Sequence, residues 1–200
     1  MKLNVPYYCQ RTDVKDLEWQ PRSCLVVSAR MMAEFLGSEV LSSDEWIKEG
    51  VSIGAWDGNY WKHDGVVRLL RNHGILAYSQ EFKTSHVDII NKEVKEGKNS
   101  DLFLEKGIEK IVRSLDSEVP VIVSIYKYFT EKDRHHAIVI TGYEKDENQE
   151  KSASLEVSNI KGFYYNDPEM PEEKGGKDLF VSLNDFKDGW KRLSIFSDKF

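Results

Sequence analysis

Four positions, scattered along a chain of 200 residues, carry side chains of the types that together can break an amide bond: Gln10, Cys24, His136 and the pair Asn166–Asp167. Cys24 stands in "RSCLVVSARMMAEFLG", where a helix should begin. A thiol in the first helical turn lies at the positive end of the helix dipole, beside backbone N–H groups that favour the thiolate and can hold an oxyanion. The plainer account is a small apolar residue opening a buried helix, since free cysteine is among the most buried residue types. A thiolate nucleophile also needs a base, which comes from elsewhere in the fold. "RHHAIVITGY", residues 134–143, puts two of the chain's five histidines at the mouth of an apolar, β-branched strand. Either both are exposed where a loop enters a sheet, or one of them is aimed at something. In "YYNDP", residues 164–168, Asn166 or Asp167 could mark a simple turn, or could accept a hydrogen bond from the far nitrogen of an imidazole and fix its tautomer. Gln10, in "PYYCQ", is either a surface amide or a second oxyanion donor.

The elements that must hold these side chains follow from the hydrophobic pattern. Residues 23–37 predict a helix buried nearly all round, with Ser23 as N-cap, Cys24 first in the helix and Gly37 just past its end. Further helices are predicted over 42–50, 63–74, 85–97, 102–115 and 182–190, and strands over 75–82, 120–128, the histidine segment, 155–160, 163–169 and 191–196. A glycine- and aromatic-rich loop spans 51–61, and an acidic turn spans 144–154. Helices first and antiparallel-looking strands later make an α+β pattern, not an alternating βαβ one. With no repeat and no linker in sight, one domain over 1–200 is expected.

The net charge of −6, with lysines and arginines interleaved among acids, argues against a nucleic-acid surface. No segment reaches the roughly 18 apolar residues of a membrane span, and the first residues carry no secretory signal, so a cytoplasmic chain is expected. Two cysteines, Cys9 and Cys24, make no disulfide framework and suit a reducing compartment. His63, His73 and His86 lack metal-ligand spacing, so neither a metal nor a cofactor is expected.

Taken in order, "VPYYCQ", a cysteine opening a buried helix that ends in glycine, "HAIVITGY", "NDP" and "WKRLSIF" resemble papain-like cysteine peptidases. More closely, the chain is similar to stand-alone relatives of the bacteriocin-processing (double-glycine) peptidases, from about Val5 to Phe196. The resemblance implies a papain-like α+β fold, with N-terminal helices packed on an antiparallel sheet. It implies Cys24 as nucleophile, His136 as general base and acid, Asp167 as the residue orienting it and Gln10 as the oxyanion-hole glutamine. Strand alternation would send His135 to the opposite face. The chain departs from the family at Leu25, where relatives carry glycine or a small polar residue. Its long loop between Gln10 and Cys24 leaves Gln20 as a second candidate for the glutamine.

Trp56, Tyr60 and Trp61 could line a groove for a peptide, or could cover the helices beneath. A peptide or protein substrate is the expected partner. The competing functions are a cell-wall amidase or endopeptidase, a transpeptidase passing the acyl group to an amine, and a catalytically silent module that only grips a peptide. Intact Cys, His and Asp positions argue against the last.

Overall fold

A computed structural model describes residues 1–39, 41–88, 93–97, 99–146, 159–170 and 174–198. The chain opens with an extended segment and a loop, then three helices: α1 (Cys24–Phe35), α2 (Ser43–Ser52) and α3 (His63–Asn72). α1 starts and stops where its sequence signals lie. Ser23 occupies the N-cap position and Gly37 takes a left-handed φ of +86° just beyond the C-cap. α2 is closed by a capping box, in which the Ser42 hydroxyl accepts from the Glu45 N–H while the Glu45 side chain accepts from the Ser42 N–H.

The remaining elements are β1 (Ala77–Glu81), β2 (Ser85–Asp88), β3 (Glu93–Glu96), α4 (Ser100–Asp116), β4 (Val121–Lys127), β5 (Glu131–Lys145), β6 (Ile160–Asn166), β7 (Leu179–Ser182), α5 (Leu183–Gly189) and β8 (Trp190–Ser197). Six strands form one antiparallel sheet in the order β1-β8-β4-β5-β6-β7. α1 packs against β4 and β5, and α4 against β4, β5 and β8. The central strands read as near-continuous apolar runs because they are covered: Val121, Ile122, Val123 and Ile125 of β4 and Ile138, Val139 and Ile140 of β5 are all buried. This is the α+β arrangement of helices on an antiparallel sheet that the sequence predicts.

Three local expectations change. The amphipathic helix predicted over 85–97 is instead the hairpin β2–β3, with Val87 opposite Val94. Each strand has one valine among polar residues, and the pairing of these two β-branched residues across the hairpin suits a strand where the lysines and glutamates alone suit a helix. β5 begins at Glu131, so His136 lies inside a long strand and not at its start. β7, only four residues long and absent from the predicted strands, pairs along β6. The acidic turn and the strand predicted over 155–160 lie largely outside the described residues.

The turn between β4 and β5 is tight. Its three residues are Tyr128, Phe129 and Thr130, of which Tyr128 and Phe129 take left-handed φ angles of 54° and 63°, and the Thr130 N–H closes it on the Lys127 carbonyl at 3.2 Å. Phe129 is held there by burial beside Tyr165 and Phe186, with ring centroids 5.5 and 6.3 Å away.

Among the described residues no helix is long and apolar enough to cross a membrane. Helix α3 meets the loop before it without a gap: a Cβ at Gly65 would lie 2.4 Å from the Ala55 Cα. Gly65→Ala is therefore expected to destabilise the protein by about 1–3 kcal/mol through overpacking, even though alanine is the better helix former. A urea midpoint unchanged or raised by the substitution would show that this contact yields freely.

Candidate active site

Cys24 is the first residue of α1 and is half-buried. The Ser23 hydroxyl makes no cap hydrogen bond, and the first backbone bond into the helix runs from the Val27 N–H to the Ser23 carbonyl. The first-turn N–H groups around the thiol are therefore not consumed by a side-chain cap. The thiol lies close enough to the His136 imidazole to bear on its charge. On the far side of that ring Nε2 meets Asp167 Oδ1 at 2.6 Å, which leaves Nδ1 for the sulfur.

His136 and Asp167 are only 5% and 4% exposed, so this bond lies in the interior. Burial is the largest single influence on the imidazole and pushes its pKa down. The hydrogen bond to Asp167, the closeness of Cys24 and the negative charge of both oppose it, and together lift the pKa to about 10. The ring thus keeps its proton at neutral pH, as the cationic partner of a thiolate requires. Asp167 is fixed in turn: its N–H donates to the Gly176 carbonyl at 2.7 Å, and its Oδ1 also accepts from the Glu169 N–H at 2.9 Å. Asn166 is buried too, but its side chain serves the backbone, accepting from the Asp178 N–H at 3.0 Å.

His135, next door, has the opposite environment. It is exposed on the other side of the strand and accepts from Lys191 Nζ through Nδ1 at 2.6 Å. Desolvation, then the cations Lys191 and Lys83, hold its pKa below the usual value. His63 is likewise neutral: burial and Lys191 drop it to about 4, and its Nε2 meets the Ser124 hydroxyl at 2.7 Å.

The N-terminal segment is stitched to the loop that carries Asp167. Asn166 Nδ2 donates to the Val5 carbonyl at 3.4 Å, the Tyr7 hydroxyl to the Asp167 carbonyl at 2.6 Å, and the Gln10 N–H to the Pro168 carbonyl at 2.7 Å. Gln10 is 1% exposed, and its Nε2 donates to Glu169 Oε2 at 2.9 Å. Gln20, the other glutamine considered, donates its amide to the Val14 carbonyl. Cys9 is buried, with its sulfur accepting from the Arg11 N–H, and both cysteines are free thiols. Among the described residues no group of acidic, histidine and cysteine side chains could hold a metal ion.

The aromatic loop touches the segment just before Cys24 and, on the other face of β5, His135. Trp61 is buried and donates its indole N–H to the Arg22 carbonyl, two residues before Cys24, at 2.8 Å. It is a core anchor, in contact with Trp19 and Trp56 at centroid separations of 5.7 and 5.3 Å. Trp56 is half-buried in the same group. Tyr60 is 64% exposed, and its ring lies 6.4 Å from that of His135. The tip is preformed, since Asp57 Oδ1 accepts from the N–H groups of Asn59 and Tyr60 at 2.9 and 2.7 Å.

Sequence reasoning passed over Glu169 and Lys127. A lysine closing the apolar run "VIVSIYK" was the available signal for the second. Lys127 is buried, and its Nζ reaches Glu169 Oε1 at 3.1 Å.

The profile of the Peptidase_C39 like family matches residues 2–196. No curated protein sequence matches the chain. Among solved structures, a Bacillus anthracis protein assigned as a C39-like peptidase is 16% identical, with a TM-score of 0.60 over 100% of this chain and 98% of that one. A double glycine motif protease from an AMS/PCAT transporter, in complex with its leader peptide, is 16% identical, with a TM-score of 0.51 over 98% of this chain and 93% of that one. The peptidase domain of Streptococcus ComA, a bi-functional ABC transporter involved in quorum sensing, is also 16% identical, with a TM-score of 0.53 over 90% and 93%. The fold is thus that of papain-like C39 peptidases.

Followed by NMR across a pH titration, His136 should keep its proton to about 10 while His135 loses its proton below the ordinary 6.5. A shared midpoint for the two neighbours would refute the bond between His136 and Asp167. Since the folded-state pKa of His136 is raised, its stabilising contribution is full below about 6.5 and is lost as pH climbs toward about 10. His136→Ala should accordingly flatten the fall in Tm over that window.

Proposed function

The chain belongs to the Peptidase_C39 like family, and on that premise we propose that it is a cysteine peptidase acting on a peptide or protein substrate through Cys24, His136 and Asp167. The observation that carries this reading is the buried 2.6 Å bond between the His136 imidazole and Asp167, with the Cys24 thiol near the same ring. In the proposed reaction the Cys24 sulfur attacks the amide carbonyl. The oxygen gains charge beside the N–H groups of the α1 first turn and the Gln10 amide. As the tetrahedral species collapses, the C–N bond breaks and His136 passes its proton to the leaving amine. Water, losing a proton to His136, then attacks the thioester and releases the acid and the free thiol. Asp167 keeps Nε2 of the ring engaged throughout, so that Nδ1 is the nitrogen presented to the sulfur and to the leaving group.

The substrate chain would run past the aromatic loop, whose exposed residue is Tyr60. The relative solved with a leader peptide supports a peptide ligand, and peptides carrying a Gly-Gly motif are the first candidates.

Alkylation of Cys24 by iodoacetamide should be fast at neutral pH, with buried Cys9 as the slow internal control, and His136→Ala should remove the advantage. An ordinary thiol profile in the wild type would end the catalytic reading. On a cleaved peptide, Cys24→Ala should abolish turnover, and His136→Ala should lower kcat by about 10²–10⁴-fold. Tyr60→Ala should raise KM several-fold with kcat nearly unchanged. Trp61→Ala, by contrast, should cost about 3–5 kcal/mol of stability, as truncation of a buried aromatic does. A Tyr60→Ala variant with wild-type KM on every cleaved peptide would remove the loop from the binding surface.

A further inference from the structure

Glu169 is a carboxylate in an unusual place, with its side chain only 12% exposed. It receives Gln10 Nε2 on Oε2 at 2.9 Å, and on Oε1 it receives Arg11 Nε at 3.1 Å and Lys127 Nζ at 3.1 Å. The Lys127 side chain is 7% exposed. A buried acid held by two cations is costly to assemble unless its geometry is used. Its backbone adds a further contact, because the Glu169 N–H donates to the same Asp167 oxygen that accepts from His136. One residue thus touches the histidine-orienting aspartate with its main chain and the oxyanion glutamine with its side chain.

We propose that Glu169 is the positioning residue of the oxyanion hole: its carboxylate orients the Gln10 amide, and Lys127 and Arg11 cancel the charge that would otherwise oppose a developing oxyanion. The inference rests on the proposed role of Gln10 as an oxyanion donor. A glutamine amide can be turned end for end at little cost in shape. A carboxylate accepts and cannot donate, so it takes the NH₂ end of the amide and rejects the carbonyl end. Gln10 Oε1 is buried and has no partner among the described residues, so the bond to Glu169 is what fixes the amide. The NH₂ group carries two hydrogens. Glu169 takes one and leaves the other free to point elsewhere, at a rigidly defined angle.

Charge decides whether such an arrangement helps or harms. A lone carboxylate close to an oxyanion would raise the barrier by like-charge repulsion. Two cations against one anion leave this group with a net positive charge, which favours negative charge on a substrate oxygen. Lys127 reaches Glu169 from the shoulder of the β4–β5 turn, and Arg11 from the residue next to Gln10. Neither cation needs to touch the substrate.

The test compares two reactions of the same thiol. Alkylation by iodoacetamide needs the thiolate but no oxyanion hole. The acylation burst with p-nitrophenyl acetate needs both, and it requires no knowledge of the natural substrate. Both rates are read at Cys24 by mass spectrometry in the full chain. Glu169→Ala should leave alkylation near the wild-type rate and slow acylation by about tenfold or more, short of the roughly 10²–10³-fold cost of removing an oxyanion donor outright. Glu169→Gln, which keeps an acceptor for the Gln10 amide, should recover part of the loss. In a Gln10→Ala background, Glu169→Ala should cost nothing further, because the residue would act only through Gln10.

An acylation-to-alkylation ratio in Glu169→Ala equal to that of wild type would overturn the proposal, as would full additivity in the double variant. If Gln10→Ala itself leaves the ratio untouched, the oxyanion assignment fails and this inference fails with it. Loss of alkylation in the wild type would instead strike at the nucleophile. Should Glu169→Ala lose the native alkylation rate, the Gln variant alone decides: a ratio between those of wild type and Gln10→Ala supports the proposal, and the full wild-type ratio sinks it.

Discussion

The interior of this protein holds an imidazole whose charge burial opposes. Burial works against a charged His136, and only close contact with negative partners reverses the balance. The 2.6 Å bond to Asp167 is therefore the interaction around which the site is arranged. It cannot be loosened without giving the ring back to desolvation. Everything that fixes Asp167 bears on the ring: the backbone bond to Gly176, the Glu169 N–H on its carboxylate, and the Tyr7 hydroxyl on its carbonyl.

The same reasoning explains why two motifs far apart in sequence belong together. "VPYYCQ" and "NDPE" lie side by side, with Val5 meeting Asn166, Tyr7 meeting Asp167, and Gln10 meeting Pro168 and Glu169. The strap is a row of hydrogen bonds, and each bond fixes a group used by the proposed mechanism or a group adjacent to one. The apolar sheet beneath supplies stiffness. The strap supplies position.

Much of this was legible in residue types and order. Cys24 opening a helix closed by Gly37, the histidine before "AIVITGY" and the aspartate before Pro168 are local signals, and the α+β class follows from helices preceding strands. The family and its fold agree with that reading. What stayed hidden depends on distant partners. Glu169 and Lys127 acquire meaning only when β4, the N-terminal segment and the Asp167 loop converge. Trp61 reads equally as a groove aromatic or as cover for the helices until its indole is seen donating to Arg22 from the core. The β2–β3 hairpin was missed because its charged residues suit a helix, and a single valine in each strand is too little period to outweigh them in the sequence.

The strap also sets an order in time. Gln10 and Glu169 are 159 positions apart, and contacts of that span form late, after more local structure has already ordered the chain. A ribosome delivers Cys24 long before it delivers Asp167. Through most of synthesis the thiol sits on a chain that lacks its aspartate, and the imidazole that would activate it has no anchor. The proposed nucleophile is thus armed only once Asp167 has been made and the segment around Gln10 has closed over the loop that carries it.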